Sequence, residues 1–160
     1  MTANSSNPFT TSPAPVGPPL MGALLRIALE TVQRRMLESL HAAGFDDLDT
    51  AHLTVLQWPG PDGMRPSDLA VRLHMSKQAL NYMLGELERM GYLERRRDPD
   101  DLRARRIALT ARGHEMIPVI RKAVRATERE WSATLGEDRV EELRSLLIEV
   151  QALREPGDPG

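Results

Sequence analysis

Apolar residues recur at spacings of three, four and seven or eight from residue 20 to residue 40, a period that is typical of an amphipathic α-helix. The same period returns between residues 138 and 153. Glycine and proline residues divide the sequence between these segments, and Ser, Thr and Asp residues stand where helices could begin. The pattern predicts six helices, over residues 20–43, 50–58, 66–74, 77–90, 111–135 and 138–153.

Residues 92–97 and 103–109 are predicted to form two strands joined by the turn Asp98-Pro99-Asp100-Asp101. The two helices that meet near His74 have the apolar spacing of a helix-turn-helix, although a glycine would be usual at that turn. The order of elements predicts a mainly α (α+β) fold, a winged helix-turn-helix. Gly85 lies inside the second helix of this unit and costs about 1 kcal/mol relative to alanine. We interpret it as permitting close packing.

The helices outside the helix-turn-helix carry more apolar residues than one narrow stripe would bury. In the fifth helix these residues are Ile117, Val119, Ile120, Val124, Trp131 and Leu135. Pro118 lies inside that helix and is predicted to bend it. Surplus apolar surface on terminal helices indicates a partner, and a second copy of the chain is the simplest one.

Arginines are concentrated in the hairpin. The whole chain of 160 residues has a net charge of −2, but residues 89–112 carry eight arginines against four acids, a balance of +4. Arginine suits phosphate groups and narrow minor grooves better than lysine does, so this ribbon predicts contact with DNA. The alternative is a charged strand edge that discourages aggregation.

The helix before the hairpin presents a polar outward face that begins at Ser76, its predicted N-cap. Lysine and glutamine can hydrogen-bond guanine and adenine edges, and asparagine can pair with adenine through two hydrogen bonds. An ordinary solvated helix face would look the same, and the adjoining basic hairpin favours the DNA interpretation. The residues concerned are Lys77, Gln78, Asn81 and Tyr82.

The sequence contains none of the residue patterns on which an enzyme, metal or cofactor assignment could rest. It has no cysteine, phosphate-binding loop, dinucleotide fingerprint or Gly-x-Ser-x-Gly motif. His114-Glu115 begins like a zinc-protease motif, but Pro118 stands where the second ligand would be. We therefore predict no catalytic activity, no cofactor and no metal site. No apolar run approaches the roughly 18 residues of a membrane helix. With the lack of cysteine, this predicts a cytoplasmic protein without membrane contact.

Several motifs resemble the MarR family of winged helix-turn-helix transcriptional regulators. The resemblance is specific over residues 65–115 and only architectural over residues 20–58 and 116–153. It is carried by Ser67-Asp68-Leu69-Ala70, by Ser76, by Leu87-Glu88-Arg89-Met90-Gly91-Tyr92-Leu93-Glu94-Arg95, by Asp98-Pro99-Asp100-Asp101-Leu102-Arg103-Ala104 and by Leu109-Thr110-Ala111-Arg112-Gly113.

The resemblance implies a homodimer whose recognition helices enter successive major grooves of double-stranded DNA at a pseudo-palindromic operator. It also implies that Arg103 enters the minor groove and is held there by Asp101. The predicted DNA contacts are therefore Ser76, Lys77, Gln78, Asn81, Tyr82, Arg95, Arg96, Arg97, Asp101, Arg103 and Arg105.

The resemblance further implies a repressor whose DNA affinity is lowered by a small aromatic or phenolic ligand. Such a ligand would bind at the seam between the dimerisation helices and the winged domain. His41, His52 and Trp58 are the candidate residues there. The alternative is that these three side chains pack in the core or lie exposed.

These expectations divide the chain into five segments. Residues 1–19, rich in proline, serine and threonine and without charge, are predicted to be a disordered arm, and residues 154–160 a flexible tail. Residues 20–48 are predicted to form an N-terminal dimerisation helix, 49–112 the DNA-binding winged helix-turn-helix and 113–153 the C-terminal dimerisation helices. The alternative function is a winged-helix module that binds an acidic protein partner.

Overall fold

The computed structural model of the chain describes residues 19–60, 62–99, 101 and 103–153. It contains six helices and one hairpin in the predicted order, and it confirms the mainly α winged helix-turn-helix. The elements are α1 Met21–Ala42, α2 Thr50–Leu56, α3 Pro66–Arg72, α4 Lys77–Arg89, β1 Leu93–Arg97, β2 Arg105–Leu109, α5 Ala111–Leu135 and α6 Glu137–Ala152. The predicted arm, apart from residue 19, and the predicted tail lie outside the described residues.

Short polar side chains begin several of the helices where the sequence placed them. Asp49 and His52 form a capping box in which the His52 backbone N–H donates to the Asp49 carboxylate at 2.9 Å and the Asp49 N–H donates to His52 Nδ1 at 3.1 Å. Ser76 accepts from the Ala79 N–H at 3.2 Å at the start of α4. These local bonds explain why the helix starts could be predicted without knowledge of the packing.

The turn between α3 and α4 is formed by a residue in an unfavourable conformation. His74 has φ +50°, and it is the one described non-glycine residue with positive φ. The Met75 N–H reaches back to the Ala70 carbonyl at 3.0 Å and closes α3. The backbone therefore has the left-handed geometry for which glycine is usual, and histidine adopts it at some cost in free energy.

Strands β1 and β2 are antiparallel, with Leu93 opposite Leu109 at one end and Arg97 opposite Arg105 at the other. They are shorter than predicted. The Tyr92 N–H donates to the Leu87 carbonyl at 2.9 Å, so Tyr92 ends the turn after α4 instead of opening β1. Arg103 belongs to the hairpin tip, where the Ala104 N–H donates to the Asp101 carbonyl at 2.9 Å.

A segment before α3 docks onto the hairpin, which the sequence did not predict. Met64 pairs with Ile107 of β2 through two backbone hydrogen bonds of 2.9 and 2.7 Å. Gly63 permits this approach because it has φ +73° and because a Cβ atom there would lie 2.7 Å from the Ile107 carbonyl oxygen. The hairpin is thus fastened to the helix-turn-helix.

The core lies where the second half of α1, helices α2 to α4, the hairpin and the first half of α5 meet. It includes Leu40, Leu56, Leu69, Leu80, Leu84, Leu87, Tyr92, Ile107 and Met116, each fully or almost fully buried. Ile117, Val119, Ile120 and Val124 of α5 are partly buried against this core. Packing within the chain therefore covers these four residues in part, and part of their apolar surface stays exposed.

Most of the large apolar side chains that are exposed lie at the two ends of the described chain. The first ten residues of α1 are exposed except Ala23, and α6 buries only Val140. The large apolar side chains left exposed there are Leu20, Met21, Leu24, Leu25, Ile27, Leu29, Leu143, Leu146, Leu147, Ile148, Val150 and Leu153.

We predict that Gly85→Ala raises the free energy of unfolding by about 1 kcal/mol, the difference in helix propensity between the two residues. Apart from its chain neighbours and the backbone of its own helix, no described atom lies within 4 Å of a Cβ built at Gly85, so close packing inside the chain does not explain this glycine, and our interpretation was wrong. Urea unfolding measures the change. Gly113→Ala is the control, because its Cβ would overlap the Tyr92 carbonyl oxygen and should destabilise the protein. An unchanged or lower stability of Gly85→Ala would contradict the prediction.

Candidate nucleic-acid interface

Helix α4 has one buried and one exposed face. Leu80, Leu84 and Leu87 anchor it in the core. The residues predicted to contact DNA, Ser76, Lys77, Gln78, Asn81 and Tyr82, are all exposed, and Tyr82 is 75% exposed. Gly85 is exposed as well and follows Gln78 and Asn81 at helical spacing, so it lies on the same face. This helix can therefore offer hydrogen-bonding side chains to a ligand without disturbing the core.

The two arginines in the middle of β1 are held by neighbouring acids. Arg95 Nε lies 3.1 Å from both carboxylate oxygens of Glu88, and Arg96 Nε lies 2.7 Å from Glu94 Oε1. All four side chains are partly or largely exposed. Exposed pairs contribute little to stability and are screened by salt, so a phosphate could replace either acid.

Arg97, Arg103 and Arg105 form no ion pair with any described carboxylate. Arg97 and Arg105 stand directly opposite each other across the hairpin, and both are exposed. Like charges directly opposite on a sheet are destabilising, so this end of the hairpin would be stabilised by a bound anion. The three residues form the strongest candidate phosphate contact, which we call the wing-tip arginines.

Asp101 acts on the backbone of the hairpin tip. Its carboxylate accepts a hydrogen bond from the Arg103 N–H at 3.0 Å. The resemblance implied that Asp101 would hold the Arg103 guanidinium, whereas the contact that the structure describes is with the main chain. Asp101 thus fixes the turn that carries Arg103. Asp100 and Leu102, the neighbours of Asp101, lie outside the described residues.

The sequence did not predict that Arg65 pairs with a buried carboxylate of the hairpin turn. Asp98 has no exposed surface, and its Oδ2 lies 2.7 Å from Arg65 Nε and 3.1 Å from Arg106 Nε. The hydrogen bond to Asp98, and then the charge of Asp98, raise the pKa of Arg65 above its ordinary value. Arg65 and Asp98 are 33 positions apart, and no local pattern in the sequence connects them.

Arg112 is one of the eight arginines counted in residues 89–112, but its side chain contacts Tyr92 and Asp47 within the fold. Its guanidinium stacks over the Tyr92 ring at 4.5 Å, and it contacts the Tyr92 hydroxyl at 3.0 Å and Asp47 at 3.3 Å. The Tyr92 hydroxyl donates to Asp47 at 2.5 Å. Burial, and then the hydrogen bond to Asp47, raise the pKa of Tyr92 to about 12, so the hydroxyl keeps its proton at neutral pH. Arg112 therefore joins the loop before α2 to the start of α5.

Each of the three predicted ligand residues has a local partner. His41 Nε2 lies 2.8 Å from the Leu48 carbonyl oxygen, and His52 is buried in its capping box with Nε2 3.5 Å from Glu86. The Arg72 guanidinium lies 4.5 Å from the centre of the Trp58 ring. Trp58 Nε1 is buried and has no hydrogen-bond partner among the described residues. Among the three predicted ligand residues, Trp58 thus has a donor that an incoming acceptor could satisfy.

Two cavities lie on the C-terminal helices, and His41, His52 and Trp58 are not among the residues that line them. One of about 500 Å³ lies between α5 and α6, and one of about 370 Å³ lies along α5 beside Pro118, Arg121 and Arg125. Within the described ranges, no group of three or more His, Cys, Asp or Glu residues could hold a metal ion. None of the described helices is both long and apolar enough to cross a membrane.

A model of the MarR family matches residues 46–104, which run from the loop before α2 to the tip of the hairpin. Over 134 residues the chain is 28% identical to the transcriptional repressor MprA of Escherichia coli strain K12. The alignment covers 79% of this chain and 76% of MprA. The crystal structure of wild-type apo MarR from E. coli is 26% identical, with a TM-score of 0.66.

The chain is thus similar to the MarR family in the sequence of its winged helix-turn-helix, and to MarR itself in fold. The MarR match covers 84% of this chain and 98% of that chain, so the likeness includes the terminal helices. The transcriptional regulator Tm0710 from Thermotoga maritima is also similar, with 25% identity over 82% of this chain and 92% of that one, at a TM-score of 0.57. These relatives are transcriptional regulators, and the resemblance that the motifs carried is confirmed.

Proposed function

We propose that the chain is a transcriptional regulator of the MarR family and a homodimeric repressor that binds a pseudo-palindromic DNA operator. In this proposal α4 enters the major groove and the hairpin reaches the neighbouring minor groove and backbone. The observation that carries the proposal is the pair Arg97 and Arg105, opposed across the hairpin without a described acid to balance them. Their repulsion is relieved when a phosphate lies between them.

The exposed residues of α4 and of the hairpin divide into two kinds of contact. Lys77, Gln78 and Asn81 carry donors and acceptors that can distinguish base edges in the major groove. Ser76, Tyr82 and the arginines of the hairpin suit phosphates and the minor groove, which fix the register without reading most of the sequence. Base contacts should thus govern specificity, and the hairpin contacts should govern the dependence of affinity on salt.

We predict that Arg103→Ala and Asn81→Ala weaken DNA binding in different ways. Arg103→Ala should reduce affinity for specific and random duplexes alike, and it should lower the salt slope by about one unit because one cation–phosphate contact is lost. Asn81→Ala should cost about 1–3 kcal/mol on the preferred sequence and little on random DNA, because a base contact is lost. Fluorescence anisotropy over a range of salt concentrations measures both effects, with the preferred sequence first selected from genomic fragments.

Both side chains are exposed, so the melting temperature of each variant should stay close to that of the unaltered protein. Equal losses on specific and random DNA for both variants would show that α4 does not read bases. If neither variant lost affinity, the wing-tip arginines would have another partner, and the protein-binding alternative would replace the DNA proposal.

The homodimer is supported by the apolar side chains left exposed on α1 and α6. Twelve large apolar side chains, at 41–81% exposure, are divided between the first turns of α1 and the length of α6. Isolated monomers rarely leave such surfaces in water, and a two-fold axis would let α1 and α6 of one copy cover those of the other. Two recognition helices related by this axis would meet half-sites about 10 base pairs apart.

We predict that Leu146→Arg converts the dimer into a monomer or into aggregates. Leu146 is 52% exposed on α6, and a charge there would have to be buried in the interface. Sedimentation velocity at micromolar concentration measures the change. Val71→Arg is the matched control, because Val71 is 49% exposed on α3, outside the proposed interface, and this variant should remain dimeric. A stable, well-folded monomer of the unaltered chain would contradict the proposal.

We also propose that a small aromatic acid or phenol bound beside Trp58 lowers the affinity for DNA. The buried Trp58 Nε1 without a described partner and the Arg72 guanidinium over its ring offer a donor and a cation to such a ligand. Salicylate, which carries both a carboxylate and a phenol, is a suitable probe. In a Trp131→Phe variant, where Trp58 is the only tryptophan, salicylate should change the fluorescence and weaken DNA binding at similar concentrations. A fluorescence change without loss of DNA affinity would contradict the regulatory role.

A further inference from the structure

Asp98 is a fully buried carboxylate directly after β1, at the turn end of an exposed, arginine-rich hairpin. A tight hairpin does not require such a group, and a buried carboxylate is costly unless it is paired. Asp98 is paired, with Arg65 Nε at 2.7 Å and Arg106 Nε at 3.1 Å from the same oxygen. The cluster joins residues from three places, namely the segment before α3, the end of β1 and the start of β2.

The backbone brings Arg65 to this position. Arg65 follows Met64, whose two hydrogen bonds to Ile107 fasten the segment to β2. Arg65 also precedes Pro66, the first residue of α3. Because the residues on both sides are fixed, the side chain of Arg65 starts from a defined place between the helix-turn-helix and the hairpin.

The three residues of the cluster carry two positive charges and one negative charge, and the charges of Asp101 and Asp68 also act on Arg65. Arg65 has 40% of its side chain exposed, whereas Asp98 is wholly buried. The contact with Asp98 uses Nε of Arg65, and the guanidinium has further N–H donors on its two Nη groups. A guanidinium that is already hydrogen-bonded to a carboxylate has fewer conformations than a free one. It therefore loses less conformational entropy when it binds a phosphate.

We infer that Arg65 is a further contact to the DNA backbone and that Asp98 is the residue that positions it. This inference rests on the proposed DNA binding. It adds a cation outside the recognition helix and the hairpin, at the start of α3 and beside the turn end of the hairpin. Asp98 touches no DNA itself and acts through Arg65.

The direction in which Asp98→Asn changes the affinity for DNA distinguishes the positioning of Arg65 from a simple effect of charge. Asp98→Asn removes a negative charge, so attraction to phosphate alone would make DNA binding tighter. If Asp98 positions Arg65, the same change loosens the guanidinium and makes binding weaker. Glu94→Gln is the matched control, because it also frees an arginine, Arg96, but at an exposed site. It should leave binding unchanged or slightly tighter.

The experiment measures the affinity of the full chain for a fluorescent duplex of random sequence over a range of NaCl concentrations. Such a probe suits a phosphate contact because the contact does not depend on sequence. Arg65→Gln should lower the slope of log affinity against log salt by about one unit. Arg35→Gln is its control, because Arg35 is likewise held by one acid, Glu130, at 2.9 Å, with 47% of its side chain exposed, but it lies on α1. It should leave the slope unchanged.

Equal slopes for Arg65→Gln and the unaltered protein would overturn the contact, and tighter binding by Asp98→Asn would overturn the positioning. If circular dichroism shows that Asp98→Asn does not fold, Arg65→Lys decides the second point. Lysine keeps the charge, but its single nitrogen cannot hold Asp98 and a phosphate in the geometry of a guanidinium. Arg65→Lys should therefore bind more weakly, and affinity equal to that of the unaltered protein would overturn the positioning. If the unaltered protein fails to bind the duplex at low salt, the proposed function itself fails.

Discussion

The docking of residues 63–65 onto β2 is the constraint on which the candidate interface depends. A two-stranded hairpin is marginally stable alone, and this one carries two directly opposed arginine pairs, Arg96 with Arg106 and Arg97 with Arg105. The backbone pairing of Met64 with Ile107 gives β2 a second hydrogen-bonded neighbour besides β1. The buried Asp98 then draws Arg65 and Arg106 together. These contacts hold the hairpin in a fixed relation to α3, and the repulsion between its arginines therefore does not separate the strands.

The arginines of the basic ribbon differ in what holds them. Arg112 is bound to Tyr92 and Asp47 and supports the fold, and Arg106 belongs to the Asp98 cluster. Arg95 and Arg96 are paired with exposed acids that a phosphate could replace. The wing-tip arginines have no described acid. A count of charges along the sequence treats all of them alike, whereas their partners give them different functions.

The helix-turn-helix keeps two features that reduce its stability. His74 adopts φ +50° in the turn. Gly85 lies on the exposed face of α4, although a methyl group there would contact no described atom beyond its chain neighbours and its own helix backbone. Departures from the locally most stable residue are expected where function limits the choice. Gly85 lies on the same face as Gln78 and Asn81, which is the face proposed to meet DNA. A glycine there would let the DNA approach the helix backbone closely.

The sequence by itself determined the order of the elements and the starts of several helices, because helix caps, glycine stops and the helical period are local. Asp49, Ser76 and Thr110 begin their helices through hydrogen bonds to residues three positions away. The same local period located the polar face of α4, and the motifs from α4 to Thr110 indicated the resemblance to the MarR family.

Tertiary structure alone decided which charges are paired and which apolar residues are covered. Arg65 and Asp98 are 33 positions apart, and Asp47 and Arg112 are 65 positions apart, so nothing local relates the partners. The packing of α5 against the core partly buries apolar residues that did not fit one stripe, and most of the exposed apolar side chains lie on α1 and α6. The distance between two remote residues depends on how their elements pack, because the number of residues between two elements does not determine their distance in space.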